Sequence, residues 1–189
     1  MKSERTKQLL AETLKESLSR MPLEKVRVDA LCKECGLDRR TFYYHFKDKY
    51  DLVAWIFLQD YEGALKEENG MPTLEMVERV LRKMHTQRAF YRKVFSDKSQ
   101  NAISQYIYDL YVQMFKEKVL SFLGKEELSH KEMYTIKSYV FACVGHTKEW
   151  FEGITDYSPE EFAFLQRNEM PPILRRAYHL EEEKPDKKE

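Results

Sequence analysis

Apolar residues recur three and four positions apart along almost the whole chain, and only six glycines and six prolines interrupt its 189 residues. That period belongs to the α-helix, and no alternating apolar pattern of the strand kind competes with it. The expectation is an all-α fold. Leu9, Leu10, Thr13, Leu14 and Leu18 give the stripe of a first helix, capped by Ser3 and closed near Met21-Pro22, because proline disfavours helical geometry in the residue before it. A short helix spans residues 28–35, with Gly36 as its stop. Asp38 then caps a helix from Arg39 to about Phe46, and Asp48 caps a fourth that carries Leu52, Val53, Trp55, Ile56 and Phe57. Four helices in so short a stretch make a module of residues 1–58.

The run Glu67-Glu68-Asn69-Gly70-Met71-Pro72 reads as a loop or boundary, after which Thr73 caps the pattern Leu74, Val77, Val80, Leu81, Met84. Further helices are expected over residues 99–123, closed by Gly124, and residues 129–151, closed by Gly153. Ser158-Pro159-Glu160-Glu161 starts another, with proline in the first turn and acids at the positive end of the dipole. Pro171-Pro172 interrupts it before residues 173–180. Residues 59–180 thus form a second helical part. Residues 181–189, EEEKPDKKE, have charge and no apolar content, and are expected to be disordered.

Formal charge is zero, with 32 basic and 32 acidic residues, so no global field argues for nucleic acid or membrane. The distribution says more: residues 1–58 hold 12 basic and 9 acidic residues, net +3. Three cysteines and no secretory leader fit a reducing cytoplasm, and no apolar run approaches a membrane span. Cys32 and Cys35 form one C-x-x-C, half of a zinc set, and Cys143 is distant, so two buried small residues are expected and no metal. Enzymatic signatures are missing: there is no glycine-rich phosphate loop, H-E-x-x-H or G-x-S-x-G. Neither an enzyme nor a cofactor is expected.

The stretch CGLDRRTFYYHFKDKYDL, residues 35–52, brackets clustered aromatics with Arg39, Arg40, Lys47 and Lys49. Two short helices joined at a glycine turn make a helix-turn-helix, whose second helix enters the major groove. On a helix from Arg39, Phe42 and Phe46 share a face that points to the core with Leu31, Leu37 and Leu52. Arg39, Arg40, Tyr43 and Tyr44 fall on other facets, free for a partner. Arginine offers a fork to guanine, tyrosine a hydroxyl to phosphate, and Thr41 both a hydroxyl and a methyl. In register from Glu4 to Phe57, and above all over residues 28–32 and 36–52, the sequence resembles the DNA-binding domain of TetR-family bacterial transcriptional regulators.

That resemblance implies a homodimer on a palindromic operator of double-stranded DNA, with C-terminal helices that dimerise and bind a small effector. It places Arg39, Arg40, Thr41 and Tyr43 at bases and phosphates, Tyr44 and His45 on the same helix, and Lys49 at a backbone phosphate. Cys32 stands where alanine is common in the family and Asp38 where serine or threonine is; its charge argues against a direct contact with DNA. A repressor is the first expectation. The family also holds activators, those of dihydroxyacetone kinase operons among them, which leaves a protein partner as an alternative to the small molecule. A helical interaction protein without DNA binding is a third reading.

In the second part, helical bundles make pockets between facing helices, and Met84, His85, Tyr108, Tyr111, Phe115, His146 and Trp150 mix apolar walls with a few polar groups. They are the expected effector pocket, for a neutral or weakly polar aromatic or lipid-like molecule. The helices at 129–151 and 158–180 are expected to pair with their copies through Tyr139, Val140, Cys143, Val144, Thr147, Phe151, Phe162 and Leu165.

Overall fold

Leu10, Leu14 and Leu18 stack one turn above another on α1 (Lys2–Arg20), and all three are fully buried. Each contributes about 1.5 to 3 kcal/mol relative to an exposed leucine. Ala11 and Ser17 complete the face, whereas Leu9, 40 % exposed, lies off it. Ser3 is not the cap: helix geometry already holds at Lys2, so Ser3 sits inside the first turn. The computed structural model describes residues 2–67, 74–97 and 102–180, which are helical with no strand among them.

After a 3-10 turn at Leu23–Lys25 come α2 (Val28–Cys35), α3 (Arg39–His45) and α4 (Lys49–Glu67). Gly36 ends α2 at φ 65, a left-handed conformation that glycine adopts without steric cost. Asp38 caps α3 by accepting from the Thr41 N–H at 2.7 Å, and Asp48 caps α4 by accepting from Tyr50 and Asp51 at 2.8 and 2.9 Å. The expected caps therefore hold. Leu31, Phe42, Phe46 and Leu52 close the small core of this module beneath α1.

The second part comprises α5 (Leu74–Thr86), α6 (Arg88–Phe95), α7 (Ala102–Leu123), α8 (His130–Glu152), α9 (Pro159–Asn168) and α10 (Pro172–Ala177). The reading of Thr73 as a cap, the start of α7 at Ser99 and the tail lie outside the described residues. The sequence reading had no α6: α5 breaks at Gln87 without glycine or proline to mark it, and α6 then buries Phe90, Tyr91, Val94 and Phe95. α5 packs on α4 and α9, and α7 packs on α8, α4 and α10. One continuous core joins α1 to α4 with α5, α6, α7, α8 and α9; a smaller one holds Phe115, Val119, Ile136, Val140, Leu174 and Ala177. α4 runs unbroken for 19 residues, about 28 Å, and belongs to both parts. Among the described residues no helix is long and apolar enough to cross a membrane.

α8 begins in a full capping box. The Ser129 hydroxyl accepts from the Glu132 N–H, and the Glu132 carboxylate accepts from the Ser129 N–H at 2.7 Å. Those bonds from Ser129, with Lys125 beside them, pull the Glu132 carboxyl down from its ordinary 4.5 to about 2. A depressed carboxyl contributes stability above its unfolded value and loses it as the pH falls toward the folded one. The thermal-midpoint gap between wild type and Glu132→Ala is therefore expected to stay level from about pH 7 to pH 5 and to narrow below about pH 4.5. A gap that is unchanged at about pH 3 would contradict this assignment.

Candidate functional site

α3 presents two unlike faces. Phe42 and Phe46 turn inward, 0 % and 4 % exposed, whereas Tyr43 and Tyr44 are 49 % and 81 % exposed, high values for aromatic side chains. Arg39 and Arg40 are exposed beside them, and Thr41 and His45 are half-buried. Asp38 aligns the helix from below: bonds from the Thr41 N–H and hydroxyl hold its carboxylate below the usual range, so it is spent on the cap. The Arg39 guanidinium lies over the Tyr43 ring, 5.7 Å from its centroid, and 3.5 Å from Asp29 across a solvated gap. These contacts are weak enough for Arg39 to exchange them for an anion or a base edge. A row of Arg39, Arg40, Tyr43 and Tyr44 on one short, rigidly capped helix suits insertion into a groove of DNA.

Lys49 is placed differently from the expectation. Its ammonium donates to the carbonyls of Leu23, Glu24 and Val26 at 2.7, 2.9 and 3.1 Å, which uses all three of its protons. Desolvation by burial lowers its pKa. Lys49 therefore ties the start of α4 to the turn that follows α1, and a phosphate would have to compete with three carbonyls.

Between α4, α5, α7 and α8 lies a cavity of about 310 Å³. Its walls are mostly apolar, with Val80, Leu81, Ile107 and four methionines, Met76, Met84, Met114 and Met170. Of the seven residues expected here, Met84, Tyr111 and Phe115 line it. The other four do not. Trp150 is fully buried among Phe151 and Phe162, and its indole N–H donates to the Tyr157 carbonyl at 2.8 Å, so it is a satisfied core residue. His85 stacks on Trp150 at 5.4 Å. His146 is exposed beside Glu149, and Tyr108 packs half-buried on the smaller core. Tyr61, Met114 and Tyr178 were missed; Tyr61 follows Phe57 by one turn on α4, a spacing that the sequence does display.

The expected pairing seam is also redistributed. Val140, Phe151 and Phe162 are buried within the single chain, and Tyr139, Cys143, Val144 and Thr147 line the cavity with Val140. Tyr139 donates to the Gln166 carbonyl at 2.8 Å, which ties α8 to α9, and burial pushes the Cys143 thiol up to about 11. Only Leu165 of the eight is exposed. What α8 turns outward includes Tyr134, Lys137, Ser138, Phe141, Ala142 and Gly145, with Tyr134 and Phe141 each 74 % exposed; α9 adds Phe164. The two cysteines of α2 behave as small packed residues: Cys32 is buried, and the Cys35 thiol donates to the Thr13 hydroxyl at 3.1 Å. Among the described residues no cluster of metal ligands forms.

A part-buried polar chain joins the parts. The Asp60 carboxylate accepts from Tyr91 at 2.6 Å and from the Gln87 amide at 2.8 Å, and Gln87 accepts from the Lys15 ammonium at 2.5 Å. Burial lowers the pKa of Lys15 and Asp60 opposes that shift. α1, α4 and α6 meet at these four residues. An acid on the Val53, Ile56, Phe57 face of α4 was the sequence signal for it.

Residues 11–56 match the family model of bacterial regulatory proteins of the tetR family, and residues 73–167 match that of a transcriptional regulator C-terminal region. No curated protein sequence matches the chain. Among solved structures, the dihydroxyacetone kinase operon activator DhaS is similar, with a TM-score of 0.58 and 16 % identity over 86 % of this chain and 92 % of that one. A tetR-family transcriptional regulator from Streptomyces coelicolor gives a TM-score of 0.55 and 16 % identity over 95 % and 91 %. At that identity the likeness speaks for the fold.

Proposed function

Because this chain belongs to the TetR family of transcriptional regulators, we propose that it reads a palindromic operator as a homodimer and releases it when a small molecule fills the cavity. The observation that carries the reading is the split of α3 into a buried Phe42–Phe46 edge and an exposed face of Arg39, Arg40, Tyr43 and Tyr44. Thr41 and His45 stand at the margins of that face. Two such helices must lie about 34 to 36 Å apart to enter successive major grooves, so whatever holds two copies together sets the DNA affinity. The outward face of α8, with Tyr134, Lys137 and Phe141 and the small residues Ser138, Ala142 and Gly145 beside them, supports the pairing, together with Phe164 and Leu165 on α9.

An effector that favours a different spacing weakens binding by its differential affinity for the two states. In that mode the protein is a repressor. Selection from a random duplex library with the full chain should enrich an inverted repeat, and sedimentation at micromolar concentration should give a dimer. Enrichment of no sequence would overturn the DNA reading, and a monomer would overturn the palindrome.

A further inference from the structure

Three phenols in the cavity wall lack an oxygen or nitrogen acceptor. The Tyr178 hydroxyl is buried with no hydrogen-bond partner. Tyr61 has only the thioether of Met114, at 2.7 Å, and sulfur is a weak acceptor. Tyr111 stands edge-on to Tyr61, centroids 6.0 Å apart, and its hydroxyl makes no hydrogen bond among the described residues. Tyr139, by contrast, is satisfied by the Gln166 carbonyl. Buried polar groups in folded proteins are nearly always paired, so the orphan Tyr178 hydroxyl, beside a Tyr61 that is held only by a thioether, points to a missing partner that accepts.

We infer that the cavity takes an uncharged, mostly apolar molecule with carbonyl or ether oxygens, and that Tyr61, Tyr111 and Tyr178 select it by donating to those oxygens. Burial pushes the Tyr61 phenol up to about 12, and Tyr111 and Tyr178 are raised as well, so all three are donors at neutral pH. Of the charged lining residues, Glu75 is exposed and Lys118 and Arg167 are half-exposed, the Lys118 ammonium lying over the Tyr178 ring, 5.3 Å from the centroid. The inference rests on the reading of the cavity as the effector site, but binding is measured without DNA.

The test titrates the full chain calorimetrically with benzophenone, with diphenylmethane, which has the same outline without the oxygen, and with 4-benzoylbenzoate, which adds a charge. Benzophenone should bind at least about tenfold tighter than diphenylmethane, the effect of one buried hydrogen bond. The Tyr61→Phe, Tyr111→Phe, Tyr178→Phe triple variant should bring that ratio to about one, leave diphenylmethane binding unchanged and keep its unfolding midpoint, since it removes hydroxyls without strong acceptors. Equal affinity for ketone and hydrocarbon, tightest binding of the carboxylate, or no binding of any of the three would each overturn the inference. Operator affinity is read separately by fluorescence anisotropy. A preference for the ketone that leaves operator affinity untouched supports the selectivity and removes effector control.

Discussion

Arg39→Ala with Arg40→Ala is expected to abolish discrimination between operator and scrambled duplex while the thermal midpoint stays at the wild-type value. Each arginine that reads a base carries about 5- to 150-fold in affinity, so the pair together is worth roughly a hundredfold or more. Stability is untouched because both side chains are exposed, and the Arg39–Asp29 contact is an open surface pair. Lys49→Ala should do the reverse first: it removes the bonds to Leu23, Glu24 and Val26 and lowers the midpoint. The measurement is anisotropy on both duplexes at two salt concentrations, beside a melt. Retained specificity in the double variant would remove α3 as the reading helix. A Lys49→Ala variant that melts like wild type but loses affinity equally on both duplexes would restore the phosphate role.

The second large effect is on stability. Asp60→Ala leaves the Tyr91 hydroxyl, the Gln87 amide and, behind it, the Lys15 ammonium without the charge they converge on. Removing the acceptor of a hydrogen bond to a charged group typically costs about 1 to 3 kcal/mol, because the donor left behind stays buried and unpaired. Urea denaturation should show that loss, and since α1, α4 and α6 meet there, the module of residues 1–58 should loosen with it. A loss below about 1 kcal/mol would mean that water satisfies the network once the carboxylate is gone.

What the sequence made legible is local. Caps at Asp38, Asp48, Ser129 and Ser158 and stops at Gly36, Gly124 and Gly153 are short-range chemistry, and they stand where the residues indicate. α6 lacked such a mark. The split of α3 was equally readable, because 100° per residue separates Phe42 from Tyr43. Neighbour identity was not readable. Periodicity says that α8 has an apolar face, but α8 has two, and only the packing shows that Val140 and Phe151 look inward and Tyr134 and Phe141 outward. The pocket failed in the same way. Trp150 and His85 belonged to the expected pocket, but the Trp150 indole finds the Tyr157 carbonyl and His85 the Trp150 ring. Lys49 belongs to a recognisable motif, yet its carbonyl partners are more than twenty residues earlier in the chain.

The cavity wall owes its character to Met76, Met84, Met114 and Met170. A thioether chain turns about three bonds and is highly polarisable, so such a wall is compliant where one of valine and isoleucine would be stiff. Its outline is then set by the guest as much as by the protein, and molecules of different silhouette can be admitted at similar strain. Shape becomes a poor criterion of selection, and the rigid phenols that hang over the soft lining become the ruler. Drift at a methionine would widen or narrow the range of acceptable outlines, whereas drift at Tyr61 or Tyr178 would change the chemistry to which the protein responds.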